Sequence, residues 1–575
     1  MSSAQVPPQA ERTSAERAPV HPPPVPPHTS EATRLLCAGA YLDSGYRDRV
    51  IEELHLNEQR IVAPSFGFDA ARVLAHALRA RRQELLWAGA ITGLWLVGMV
   101  LSGGLLGLYL WASIWLALAP WLRDRAAIPP LYRRVLAFLA RWSGRLWFAA
   151  LFALTVVTAF GGGPSPEPSY DPYGNGGYGG YGTSESLADS LVPAVELWQA
   201  WSTLFVLALI ALCVHAQRTQ FSRALAGELS PQRFPDVAAD PAEQGPHPRF
   251  QRLRQRIRLE QYAPLVMYHE ARPFCGAGDA YDTWVLAVEL KPDELAKERQ
   301  LLSNRAILEK IRPRLEQLRV PAEYAGPGVR DRLRWLEIDE CVFLPVEGLK
   351  KREQAPYTAE AFEQHRARAV EEGAEKRRHF LRVRVGGWEE ELVVTVYVRV
   401  HTQGGMLMLE IAPHVLTPVR EDFKDADRAA HRFRHNNHLG KAATALVLVP
   451  RSAGRAFAQL GRGLVHGWRL LTGGYANALP DGPALSVREL GSTPVGSLFQ
   501  EMDVVRYLRG VQDRVADGVR SALAESGYQT GEFVRKVVNI RSGDVHIGRV
   551  EGSTFAVGSH ANATGAPAPQ KGAGA

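Results

Sequence analysis

The sequence predicts an α+β membrane protein: four transmembrane helices, then a cytoplasmic α+β domain with an antiparallel meander and C-terminal helices. Three observations predict it. Residues 85–122 form a run of 38 without one charge. Arginine-rich and acidic segments alternate along the apolar runs. Downstream, strand-like apolar runs separated by Gly turns are followed by helices with apolar residues at helical spacing.

Residues 1–30 are Pro-rich and hold no apolar stretch, so a disordered tail and no secretory signal are expected. Residues 31–84 read as a cytoplasmic helical segment, with eight arginines balanced by eight acids. Asp69 stands in the first turn of its last helix, which runs into the first span. A helix rises about 1.5 Å per residue, so a bilayer core of about 30 Å takes roughly 20 residues. The run 85–122 therefore suits two spans, broken at Ser102, Gly103 and Gly104, which are poor helix formers. A crossing hairpin and a re-entrant one place its ends on the same side, so charge does not separate them.

Spans three and four are expected at 146–160 and 193–214. Glu196, Trp198, Gln199 and Trp201 crowd the start of the fourth, as at a headgroup boundary. Residues 123–145, with six arginines and one acid, read as a basic cytoplasmic loop. Residues 161–190 hold four acids, no Lys or Arg, nine Gly and four Tyr, and read as a flexible extracytoplasmic loop. Short Arg-rich loops stay in the cytoplasm. That rule places the protein in the plasma (inner) membrane with both termini cytoplasmic.

The net charge of +7 mostly follows this layout, since residues 217–575 carry 51 basic groups against 44 acidic ones. Nucleic acid is not an expected partner. Residues 217–259 are a basic linker whose "RFQRLRQRIR" (249–258) fits either lipid headgroups or a solvated face. Residues 260–420 read as the α+β domain. "DTWVLAVEL" (282–290) and "RWLEIDECVFL" (334–344) are strand-like. Pro292 opens a helix to about Leu318, and Thr358 caps another. "FLRVRV", "ELVVTVYVRV" and "MLMLEI" form the meander. Residues 421–540 return to helix, with Val505, Leu508, Val511, Val515, Val519 and Leu523 at helical spacing and Gly527 as C-cap. A β-hairpin at 541–561 and a disordered tail at 562–575 close the chain.

The strongest candidate surface is "AGRAFAQLGRGLVHGWRLL" (453–471). Phe457, Leu464 and Trp468, with Leu460 and Leu471, share one helical face. Arg455, Arg462 and Arg469 recur every seventh residue opposite them. Such a helix suits the inner leaflet; an ordinary helix packed on the α+β domain is the alternative. Gly89 and Gly93 form a GxxxG pair suited to close helix packing. In "HRFRHNNH", His431 and His435 share a face and are the only candidate metal ligands, but "NNHLG" ends the helix and moves His438 away. No metal and no cofactor are expected. Cys37, Cys213, Cys275 and Cys341 show no metal or redox spacing and are expected as free thiols. "CGAG" (275–278) is too short for a phosphate loop, and no nucleophile-elbow, zinc-protease or kinase motif occurs. No charge lies near the middle of a span, which argues against transport.

"VHIGR" (545–549) and "FAVGS" (555–559) share an apolar-x-apolar-Gly pattern that resembles RHIM-like motifs and would imply self-assembly. The overall layout resembles uncharacterised four-span membrane proteins of high-GC bacteria, a resemblance that implies no activity. The sequence thus points to a non-enzymatic membrane scaffold or signalling anchor. Its expected partners are the bilayer and a cytoplasmic protein, with a homo-oligomer also open. A membrane-tethered enzyme and an oligomeric channel are the alternatives.

Overall fold

The computed structural model describes residues 26–123, 131–161, 195–244, 248–293, 302–319, 333, 335–372, 375–387, 391–435, 437–473, 478–493 and 496–542. The expected hairpin at 541–561, the outer loop and both tails lie essentially outside them.

Helix α1 (Glu31–Leu42) starts where the Ser30 Oγ accepts the Thr33 N–H at 3.2 Å, and α2 (Ser44–Ile51) follows the Asp43 cap. Asp69 caps α3 (Ala70–Leu101) by accepting the Ala71 N–H at 2.9 Å. The chain then reverses through Gly103 and Gly104, at φ 58° and 91°. Glycine adopts this left-handed backbone without steric cost. The Ser102 Oγ accepts the Leu106 N–H at 3.0 Å and opens α4 (Leu105–Arg123). Helices α5 (Leu131–Gly161) and α6 (Leu197–Arg223) complete the apolar set.

Among the described residues three helices, not four, are long and apolar enough to cross a membrane: Ala70–Leu101, Leu131–Gly161 and Leu197–Glu228. The apolar part of α4, Leu105–Ala119, is shorter. At ~1.5 Å per residue it rises ~22 Å against a core of ~30 Å. A second difference concerns 131–145. This stretch belongs to α5 and is not a loop, because Val135, Leu136, Phe138 and Leu139 recur between its arginines at helical spacing.

After α7 (Pro248–Tyr262) comes a seven-stranded sheet. Its strands are β1 (Leu265–Tyr268), β2 (Asp279–Ala280), β3 (Trp284–Glu289), β4 (Trp335–Pro345), β5 (Arg378–Gly387), β6 (Leu392–Gln403) and β7 (Met406–Leu416). The order is β1-β4-β5-β6-β7-β2, with β3 also on β7. β1 is parallel to β4, and β5, β6 and β7 are the expected antiparallel meander. Helix α8 (Asn304–Glu316) begins at its Ser303 cap, downstream of Pro292. Helix α9 (Ala359–Glu371) starts at Thr358, which accepts the Ala361 N–H at 3.2 Å.

The 421–540 region does not form one helical unit, because its helices divide between separate cores. Ala426 and Ala430 of α10 (Ala426–His435) join Leu36, Leu74 and Ile257 in a core that gathers α1, α2, the base of α3 and α7. Helix α11 (His438–Thr472) packs Val449, Ala453 and Ala456 against Trp95, Tyr109 and Ile210 of α3, α4 and α6. Helix α12 (Leu498–Glu525) lays Val504, Leu508, Val511, Val515 and Val519 on Val394, Val396 and Val398 of β6. Each such side chain contributes about 1.5–3 kcal/mol when removed from water. The predicted stripe is thus real, except that Val504 and not Val505 is the first fully buried member. Gly527, at φ 78°, follows α12 as expected, and α13 (Gly531–Ser542) ends the described chain.

Candidate functional site

A groove of about 960 Å³ opens between the first turns of α12 and the β2–β7 edge of the sheet. Two local devices build it. The Ser497 Oγ accepts the Gln500 N–H at 3.3 Å, and the Gln500 Oε1 accepts the Ser497 N–H at 2.7 Å. This reciprocal cap fixes where α12 begins. On the other wall Gly278, at φ 94°, runs so close to β7 that a Cβ would collide with the Val415 carbonyl oxygen.

Leu392, Val415 and Val504 form the groove's apolar floor. Its rim exposes Leu498 (71%), Met502 (60%) and Tyr281 (41%), with Phe499 exposed beside them. Four charged groups surround it: Asp279, Glu501, Arg506 and Arg509. Arg506 pairs with Asp503 at 2.9 Å and stacks over the Tyr507 ring at 5.1 Å. The Thr417 hydroxyl donates to the Thr493 carbonyl at 2.5 Å and is spent on structure. Among the described residues, the lining has no His and no Cys. The groove is thus apolar at its floor, rimmed by flexible and aromatic side chains, and carries charge on its edge.

The loop "CGAG" turns its donors on the chain itself. The Gly276 and Gly278 N–H groups donate to the Glu489 carboxylate at 2.7 and 3.1 Å. That carboxylate occupies the place a bound anion would take.

The residues singled out from the sequence fare differently. His431 is exposed on α10, while the side chain of His435 lies outside the described residues. Among the described residues, no group of three His, Cys, Asp or Glu is placed to hold a metal. Gly89 and Gly93 do not mark a helix contact within the chain: a Cβ on either meets nothing within 4 Å. Gly98 takes that role, facing Val206 and Leu106. The 453–471 segment packs on α3, α4 and α6, not on the α+β domain. Its Phe457, Leu464 and Trp468 stay exposed. Arg462 pairs with Asp48 at 3.3 Å and Arg469 with Glu52 at 2.7 Å, while Arg455 is exposed. The arginines of 249–258 are mostly neutralised on α7: Arg249 by Glu58, Arg254 by Glu243, Arg256 by Glu353 and Arg258 by Asp69. The four cysteines are free.

One constellation escapes sequence reasoning. Asp240 accepts from Arg72 at 2.8 Å and faces His76 at 3.0 Å, and Arg72 lies 3.7 Å over the Phe234 ring. Burial alone would raise the Asp240 carboxyl. Its bonds to His76 and Arg72 instead hold it well below the usual carboxylate range. An Arg-His-Asp cluster can suggest catalysis, but His76 and Arg72 are fully buried. The cluster is a clamp that ties the segment after α6 to the base of α3. Asp240 lies more than 160 residues from Arg72 and His76, so no local pattern announces the cluster.

Comparison with known proteins adds one family. Residues 283–553 match the AbeC-like domain, a little under half of the chain. The match begins at β3 and takes in the meander, α11, α12 and the groove's helical wall. It supports neither the four-span resemblance nor the RHIM-like reading of 545–559, which lies outside the described residues. No curated protein and no solved structure matches the chain.

Proposed function

We propose that the protein is a non-enzymatic scaffold or signalling anchor of the plasma membrane. Its α+β domain faces the cytoplasm and holds a protein partner in the groove beside α12. The groove is the observation that carries this reading. It exposes three large apolar side chains at the start of one helix, Leu498, Phe499 and Met502, and among the described residues its lining holds no His and no Cys. Exposed apolar surface of this kind, rimmed by charge, marks interaction sites. Arg506 and Arg509 at one end suit an amphipathic partner segment with an acidic residue beside its apolar anchors.

Membrane insertion is supported by the three apolar helices. The hairpin α3–α4 accompanies α6. At the hairpin tip a Cβ on Gly103 would stand 2.7 Å from the Gln199 Nε2, in the first turn of α6. The hairpin tip thus lies beside the start of α6, which supports a hairpin that reaches as far as α6 does and favours the crossing layout over a re-entrant one.

The test is crosslinking of tagged full-length protein in native membranes, with partners read by mass spectrometry. A cytoplasmic protein crosslinked at 279–281 or 498–509, and lost from L498E/M502E, is the expected result. Recovery of the protein alone, unchanged by that substitution, would overturn the reading.

A further inference from the structure

Two segments far apart in sequence share one pattern, Arg-x-x-Gly-Arg: "RWSGR" (141–145) in α5 and "RSAGR" (451–455) in α11. Both glycines are seated on the same turn of α4. A Cβ on Gly144 would stand 2.8 Å from Leu116 Cγ and 3.1 Å from the Ala112 carbonyl oxygen. One on Gly454 would meet the Ala117 Cβ and stand 2.9 Å from the Ser113 carbonyl oxygen. Side chains larger than hydrogen would push either helix away. The Ser113 hydroxyl, donating to the Pro450 carbonyl at 2.5 Å, fixes the register on the α11 side. The Trp147 Nε1–H, donating to the Leu108 carbonyl at 3.2 Å, fixes it on the α5 side.

This shared seat has an electrostatic consequence. In each segment the arginines flank the glycine at i−3 and i+1, so they lie one helical turn apart on one face. The two pairs are brought to one level of the bundle. Arg451 feels the charges of Arg145, Arg141 and Arg455, and Arg455 in turn reaches Arg218 of α6. Among the described residues, no carboxylate lies within 4.0 Å of any of these five. Farther along the same helix, Arg462 and Arg469 each have an acid opposite them. Like charges gathered without counter-charge beside low-dielectric surface repel unless an anion joins them. The neighbouring surface is apolar: Phe138 and Trp142 on α5 and Leu446 and Val447 on α11 are all exposed. A phosphate for the guanidinium groups and hydrocarbon for their flanks describe one ligand class. A second copy of the chain would bring the same positive patch and is disfavoured.

We propose that Arg141, Arg145, Arg451 and Arg455, with Arg218 at the edge, bind the phosphate headgroup of an anionic phospholipid. Its acyl chains run along the exposed flanks of α5 and α11. The arginine forks suit phosphate oxygens bidentately. On α3 the site stands level with Trp95, whose Nε1–H donates to the hydroxyl of Ser452, the neighbour of Arg451, at 3.3 Å. It stands independently of the groove.

The experiment uses full-length protein in nanodiscs of equimolar phosphatidylglycerol and phosphatidylcholine, extracted and read by native mass spectrometry. Wild type is expected to retain phosphatidylglycerol selectively. R141Q/R145Q/R451Q/R455Q should lose at least about tenfold of that retention, given what each juxtamembrane cation contributes against anionic lipid. The four-lysine exchange at the same positions should keep most of it. The double variants R141Q/R145Q and R451Q/R455Q should each lose part, which keeps the test decisive if the quadruple variant does not fold. Equal retention by the glutamine variants, or equal retention of phosphatidylcholine, would overturn the proposal. So would protection against thermal unfolding by inorganic phosphate as strong as that by the lipid, since the site would then be one for a free anion.

Discussion

At the scale of single residues, two ionisable groups give the α+β domain a divided response to acid. His414 is buried against Phe274 and Tyr397, and burial pushes its imidazole down to about 4 from 6.5. The unfolded chain then binds the proton more readily, so the stabilisation is full above pH 6.5 and is lost as pH falls towards 4. Glu340 titrates lower. Its bond with His379, aided by Arg366, holds it at about 2, so its contribution is present above 4.5 and disappears as pH falls towards 2. Thermal unfolding of the full chain across pH should therefore show two losses. H414Q should flatten the first and E340Q the second; a single unshifted loss in either variant would contradict the assignment. The Asp240 clamp is harsher. D240N leaves Arg72 buried without its counter-charge, a change that typically costs about 3–5 kcal/mol. D240N should unfold well below wild type, whereas a substitution of exposed Arg520 should not.

At the scale of elements, the glycines divide into those that carry a contact and those that do not. G454V would drive a side chain into Ala117 and the Ser113 carbonyl, and overpacking of this kind costs about 1–3 kcal/mol. G89A meets nothing and should gain up to ~1 kcal/mol from helix propensity. Melting curves in one detergent compare them directly, and equal effects would mean that α11 does not seat on α4 as described. The same pair shows what was legible in the sequence. A GxxxG spacing marks two small residues on one face but not what that face meets, so the spacing drew attention to Gly89 and Gly93 while Gly98, Gly144 and Gly454 make the contacts. The strands were legible because apolar, β-branched runs bounded by Gly-rich turns stand out, whether they alternate in burial as β3 does or are buried on both faces as β6 is, and β3 to β7 appear where those runs lie. Helix α11 was only half legible. Its arginines and Trp468 stood out, whereas "AATALVLV" (442–449), which extends it into the apolar bundle, reads as one more helical stretch until Trp95 and Tyr109 are beside it. The groove was not legible at all, because it joins Asp279–Tyr281 to Leu498–Arg509 across more than 200 residues.

For the whole molecule, the central question is which faces lie on which side of the bilayer. The chain winds between its N-terminal core and the apolar bundle more than once: α3 leaves that core, α6 returns to it at the Asp240 clamp, and α11 leaves it after α10 and comes back where Arg462 and Arg469 pair with Asp48 and Glu52. The AbeC-like match at 283–553 covers both the meander and α11. Such a chain needs the base of α3, the end of α6 and the α+β domain on one side together. The hairpin tip and the start of α6 then share the other side, because Gly103 packs under Gln199. On the topology proposed above, from arginine counts, the first side is the cytoplasm. The native thiols permit a clean test, since Cys37, Cys275 and Cys341 are buried and only Cys213 is partly open. In a C213A background, S184C in the 161–190 loop should react with an impermeant maleimide added to intact cells. R520C, exposed on α12, should react only after the membrane is opened. Labelling of R520C in intact cells would invert the topology and turn the arginine clamp of α5 and α11 towards the outer leaflet. Labelling of neither until lysis would mean that the loop never leaves the cytoplasm, and that α5 and α6 enter the bilayer without crossing it.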